Sequence, residues 1–329
     1  MRVAIVGAGA VGLSLGSFLC SAGASLRLVV RSARDRRLLA EHGFSRVGLF
    51  GEAEHAPDAF ELAATIADLR GSQLDFMLVC TKTTASAEVA DALADIWGSL
   101  ATAPQLVLCQ NGWGNAELFA ARVPAKRVFN ARIITGFRRS RANAVEITVH
   151  AEAIRLGSLH GAEPEALRPL CDALDASGMP CELSPSIERD LWAKMLYNCA
   201  LNPLGALLGV RYGELAERES SREILESVVR EIFCLLEPAG YATHWDSAAE
   251  YLRVFHRDLM PPTAAHESSM LQDIRAGRRS EVDSLCGAVS RLGAQHGVDT
   301  AVNTALSQLI HALEDRLAEP AIRSDLSCP

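Results

Sequence analysis

The chain has 329 residues, enough for two domains at ~100–200 residues each. Apolar residues make up 49% and charged residues 22%, a globular composition that excludes a largely disordered chain. Asp and Glu outnumber Lys and Arg by 40 to 32, so the net charge of −8 has the wrong sign for a general nucleic-acid binder. No stretch of about 18 apolar residues runs without Gly, Asn, Pro or a charge, so no membrane span is expected.

The N-terminal run MRVAIVGAGAVGLSLGSFLCSAGA has the outline of an export signal: one Arg, an apolar stretch, then small residues. A buried strand, a glycine turn and a helix explain it better, because the three glycines are spaced as a phosphate-binding turn needs them. A cytoplasmic location is the expectation that follows. The nine Cys are scattered with no C-x-x-C, and the nine His show no ligand spacing. The cysteines read as small buried hydrophobes in a reducing compartment, without disulfides, and no metal is expected.

Strands are expected at residues 2–6, 25–30, 75–80 and 105–109, with helices at 10–22, 33–41 and 86–96 between them. The apolar runs 75–80 and 105–109 suit strands buried on both faces, and the alternating order predicts a parallel sheet with helices on both sides. Short β-rich pieces at 128–135, 145–150, 154–156 and 180–183, with a helix at 163–176, complete this half. From residue 186 strand signals vanish. Helical periodicity covers 187–201, 221–239, 247–257, 269–276, 281–296 and 301–317. The domain boundary is therefore expected near 185, with a flexible tail at 319–329.

Gly7-Ala8-Gly9-Ala10-Val11-Gly12 is G-x-G-x-x-G between an expected strand and an expected helix, the context that makes it a dinucleotide-binding turn. Gly7 permits the turn, Gly9 lets backbone approach a pyrophosphate at the helix N-terminus, and Gly12 lets helix and strand pack closely. Arg31 stands at the end of the second strand, where an NAD site expects Asp or Glu. A guanidinium suits a ribose 2′-phosphate, so NADP(H) is favoured. Lys82 and Asn111 follow the other two strands, where ligands of open parallel sheets gather, though each also reads as a solvated loop residue.

In the second half, Lys194, Asn198 and Asn202 are the strongly polar residues of the run LWAKMLYNCALNPL. Spaced four apart, they share one helix face. An ordinary exposed stripe carries Glu, Lys and Arg; two Asn, poor helix formers, point instead to a site wall with a proton donor and two binding amides. The Ser268-Ser269 pair reads as a helix cap, and Glu281 as a favourable charge at a helix start; either could also face the stripe.

Together VGAGAVG with Arg31, CTKTT with Lys82, QNGWG with Asn111, LWAKMLYNCALNPLGAL and SSMLQDIRAGRRSEVD resemble the ketopantoate reductase (2-dehydropantoate 2-reductase) family, in this order and over the chain to about residue 317. The resemblance implies an α/β fold: an N-terminal Rossmann-type, doubly wound NADP-binding domain at 1–185 and an all-helical substrate and catalytic domain at 186–318. It implies NADPH-dependent reduction of a 2-oxo acid, ketopantoate to pantoate, within pantothenate biosynthesis. Lys194 would be the general acid. Asn198, Asn202 and Ser269 would bind substrate, and Asn111 would lie between substrate and cofactor. Lys82 would contact cofactor, and Glu281 would stand near Lys194 and the nicotinamide end. The sequence departs from the pattern at Tyr212, where the family often has Asn before Gly-Glu-Leu, and at His266 and Glu267. Reduction of a different 2-oxo acid and a non-catalytic NADPH-binding regulator are the alternative readings. A homodimer through the helical domain is compatible with its long apolar faces, and no nucleic-acid or membrane partner is expected.

Overall fold

The structure, a computed structural model, describes residues 1–318, so the expected tail at 319–329 lies outside the described residues. Contacts divide the chain into two units, Met1–Leu191 and Trp192–Pro329. The division falls inside a helix, a few residues beyond the expected boundary at 185.

The first unit is built on one ten-stranded sheet. Its strands are β1 (Arg2–Val6), β2 (Ser25–Val29), β3 (Phe44–Gly48), β4 (Ala53–His55), β5 (Phe60–Ala63), β6 (Phe76–Val79), β7 (Gln105–Leu108), β8 (Val128–Arg141), β9 (Ala144–Gly157) and β10 (Cys181–Leu183). The order is β4-β3-β9-β8-β7-β6-β1-β2-β5, with β10 beside β9. The run from β8 to β5 is parallel, as the strand–helix alternation requires, whereas β8 and β9 form an antiparallel hairpin. The helices are α1 (Ala10–Ser21), α2 (Ala33–His42), α3 (Ser86–Trp97), α4 (Asn115–Ala120) and α5 (Arg168–Ala176). They cover a sheet whose two faces carry separate cores. Ile5, Leu28, Leu78 and Val107 pack on one side with Phe18 and Leu19 of α1; Ala4, Val6, Met77 and Leu108 pack on the other with Val89 and Leu93 of α3. All four residues of β6 are buried, which explains its unbroken apolar run.

β3, β4 and β5 were not expected. Arg46 of β3 points inward at 4% exposure. Ser17 Oγ accepts from its Nε at 3.0 Å, the Phe50 carbonyl accepts from Nη1 at 2.7 Å, and the guanidinium lies 3.9 Å from the Phe18 ring centre. A buried but fully engaged Arg breaks the apolar pattern that marks a strand. The expected pieces between 128 and 156 are two 14-residue strands, whose register slips at several irregularities and so loses strict alternation.

The second unit is helical: α6 (Ile187–Leu208), α7 (Tyr212–Glu217), α8 (Glu219–Leu236), α9 (Ala248–Val254), α10 (Ser269–Arg275), α11 (Cys286–His296) and α12 (Ala301–Ala318). α8 buries Leu225, Val228, Val229, Ile232, Leu235 and Leu236, a stripe at helical spacing that packs against α11 and α12. Glu231 of α8 accepts from the Val302 and Asn303 backbone N–H groups at 2.7 and 2.9 Å, so its charge meets the α12 N-terminus. Among the described residues no helix is long and apolar enough to cross a membrane.

Candidate active site

The sheet of the first unit sets out one group of candidate residues. β7, β6, β1 and β2 are parallel neighbours, so the segments after them open at one edge. Asn111, Lys82, the Gly7–Gly12 turn and Arg31 follow these strands in that spatial order. At ~4.8 Å per strand the row spans about 14 Å.

The glycine turn is built for a close ligand. Gly7 has φ +105°, and a Cβ there would lie 2.9 Å from the Thr81 backbone nitrogen. At Gly12 a Cβ would come 2.0 Å from the Gly7 carbonyl oxygen, so helix and turn touch only through glycine. Gly9 opens the other way: a Cβ would meet nothing within 4 Å. It is the N-cap of α1 and no side chain caps that end, so the first-turn N–H groups, with half-buried Ala8, Ala10 and Val11 around them, suit a pyrophosphate. Arg31 has an 85% exposed side chain, with Glu88 3.6 Å away. Lys82 is exposed and Asn111 half-buried.

A buried brace, missed in the sequence, joins the Lys82 and Asn111 segments. Gln110 Nε2 donates to the Thr81 carbonyl and to Ser86 Oγ, both at 3.0 Å. Ser86 Oγ lies 3.2 Å from Asn115 Oδ1, and Asn115 Nδ2 donates to the Asn111 carbonyl at 3.1 Å. Gln110, Asn115 and Ser86 are all buried. Gly112 and Gly114, at φ +88° and +94°, supply the turn between the two amides.

The helical unit carries a candidate cluster of its own. Lys194 and Asn198 are half-buried on α6, and Asn202, at 5% exposure, is nearly enclosed. Tyr212 donates its hydroxyl proton to Asn202 Oδ1 at 2.6 Å. Burial pushes the Tyr212 phenol well above its ordinary pKa, with Tyr197 adding to the shift. Tyr197 bonds Thr263 Oγ1, and burial raises its pKa to about 12 against that bond. Burial lowers the His266 pKa while nearby Glu267 opposes the change.

Ser268, not Ser269, caps α10: its Oγ accepts from the Leu271 N–H at 3.0 Å, leaving Ser269 exposed at the first helical position. Glu281 is buried at 6% and precedes a 3₁₀ turn at Val282–Ser284 instead of beginning the expected helix. Its segment is anchored by Glu314 of α12, which accepts from the Ser280 N–H at 2.7 Å. The same segment leads to α6. Pro203 has no N–H to offer the Cys199 carbonyl one turn earlier, and the Cys286 thiol, 3.6 Å away, donates to that oxygen instead. The start of α11 is thus keyed to α6 beside Asn198. Pro203 inside an apolar run was the sequence signal for an open carbonyl, but nothing in the sequence named its partner.

Residues 3–161 match the family model for ketopantoate reductase PanE/ApbA, and residues 186–314 match the model for its C-terminal part. The chain belongs to the ketopantoate reductase family. It is accordingly an oxidoreductase that uses a nicotinamide cofactor. The 2-dehydropantoate 2-reductase of Aquifex aeolicus is 32% identical over 315 residues, covering 95% of this chain and 97% of the relative. That of Halobacterium salinarum is 29% identical over 311 residues, covering 94% and 98%. A ketopantoate reductase family structure from Ralstonia eutropha superposes with a TM-score of 0.82 at 26% identity, covering 97% and 100%. A D-mandelate dehydrogenase bound to NADH and anilino(oxo)acetate reaches 0.85, covering 96% and 99%; at 23% identity this likeness concerns the fold alone.

Proposed function

We propose that this family member reduces the C2 carbonyl of a branched 2-oxo acid with NADPH, ketopantoate to pantoate being the favoured reaction. The observation that carries the reading is the α6 face on which Lys194, Asn198 and Asn202 follow one another at single-turn spacing, sinking from half-buried to nearly enclosed. Reduced nicotinamide supplies the hydride when bound. In this reading Arg31 would hold the ribose 2′-phosphate, the Gly7–Gly12 turn the pyrophosphate, and Lys82 and Asn111 would be further contacts of the cofactor. The Lys194 ammonium hydrogen-bonds the ketone oxygen and gives it a proton as alkoxide character develops. Asn198, Asn202 and Ser269 hold the substrate's polar groups. Glu281 acts beside Lys194 and the nicotinamide end.

The test is oxidation of NADPH in the presence of ketopantoate, beside pyruvate as a control. Lys194→Ala is expected to lose at least about a hundredfold in kcat while still binding NADPH; near-normal turnover rejects the assignment. The departure at Tyr212 favours a second reading, another 2-oxo acid as the preferred substrate, which a panel of oxo acids separates. A cytoplasmic setting belongs to the same proposal. So does a homodimer through the helical unit, for which exposed Ile224, Leu309 and Leu317 supply apolar surface; sedimentation tests it.

A further inference from the structure

We propose that Tyr212 is a positioning residue that sets substrate specificity: by occupying the acceptor of Asn202 from within the protein, it lets the enzyme take 2-oxo acids with and without a terminal hydroxyl almost alike. The inference rests on the reading that Asn202 faces the substrate.

A carboxamide has one acceptor oxygen and two N–H donors. In Asn202 the oxygen is already paired with the Tyr212 hydroxyl at 2.6 Å, the two residues being 5% and 4% exposed. Tyr212 has no room to leave. Its N–H donates to the His266 carbonyl at 3.2 Å, and its ring stands edge-on to those of Tyr197 at 5.8 Å and His266 at 5.3 Å. The next residue, Gly213, donates to the Ala264 carbonyl at 2.9 Å, and a Cβ on it would lie 2.9 Å from Ala264 Cβ, so the start of α7 is pressed against the 264–266 segment. Burial keeps the phenol protonated through the neutral range, so it remains a donor.

Strong rejection of a substrate lacking a hydroxyl arises when the missing group leaves a buried polar atom unpaired, and reaches about 10⁴-fold. Here that atom is paired whatever binds. The Asn202 N–H donors are left to serve an acceptor, and every 2-oxo acid brings one in its carboxylate or its ketone oxygen. An amide so held reads the shared head of the substrate and is indifferent to the far end.

The test compares kcat/KM for ketopantoate and for trimethylpyruvate, which keeps the quaternary carbon and lacks only the terminal hydroxyl, in the wild type and in Tyr212→Phe. The wild type is expected to favour ketopantoate by less than about tenfold. Tyr212→Phe strips Asn202 Oδ1 of its partner, so a substrate hydroxyl gains value there, and the ratio should move toward ketopantoate by about tenfold or more. A wild-type preference near a thousandfold, or a ratio unmoved by Tyr212→Phe while both acids are still reduced, overturns the proposal. Failure of the wild type to reduce any 2-oxo acid with NADPH overturns the functional reading, and this inference with it.

Discussion

Arg31, the proposed phosphate ligand, is held by little else. An exposed pair such as Arg31–Glu88, 3.6 Å apart, contributes ~0–1 kcal/mol, so exchanging Glu88 for a phosphate costs little. Arg31→Ala is therefore expected to raise the KM for NADPH about tenfold or more while scarcely moving that for NADH; equal changes for both cofactors would remove Arg31 from the phosphate site. Candidates of this kind were legible because their signal is local. Arg31 ends a strand, and Lys194, Asn198 and Asn202 repeat at one helical turn. Gln110, Asn115 and Ser86 were not, because their bonds join the segments after two neighbouring strands and exist only once β6 lies beside β7. Asn115→Ala is expected to remove one bond to the Asn111 carbonyl and raise the KM for the cofactor severalfold with little change in melting temperature; an unchanged KM would make the brace structural only.

At the level of elements, apolar periodicity disclosed β1, β2, β6 and β7 and the helices among them, the strands being mostly buried. β3 escaped because a buried cation is not apolar, and the β8–β9 hairpin was broken into pieces because its irregularities shift the alternation. The expected end of α6 at residue 201 shows a different limit. Proline normally stops a helix by orphaning a carbonyl, yet α6 runs on to Leu208 since a thiol from elsewhere in the chain fills that vacancy. Cys286→Ala should cost about 1–3 kcal/mol, measured by denaturant unfolding, with Cys286→Ser recovering part of the loss through its hydroxyl. Equal stability of the Ala variant and the wild type would show that the carbonyl needs no donor.

For the molecule as a whole, acidity is the expected weakness. Burial lowers the pKa of His55, with Arg46 adding to it, and burial likewise lowers those of His150 and His266. Each imidazole binds its proton more readily in the unfolded chain, whose value is about 6.5. Their stabilising contribution is therefore complete above that pH and declines as pH falls through it. Melting temperature should drop between pH 7 and pH 5, and His55→Gln should flatten the drop; an unchanged profile would clear His55 of a part in it. The keyed thiol has a use of its own. Cys199 and Cys286 are fully buried and Cys234 is exposed, so an alkylating dye should mark Cys234 within moments and reach the inner two only in those molecules whose helices have parted. The lag between the two reactions then times the breathing of the helical unit, and a compound that lengthens it has bound the closed form.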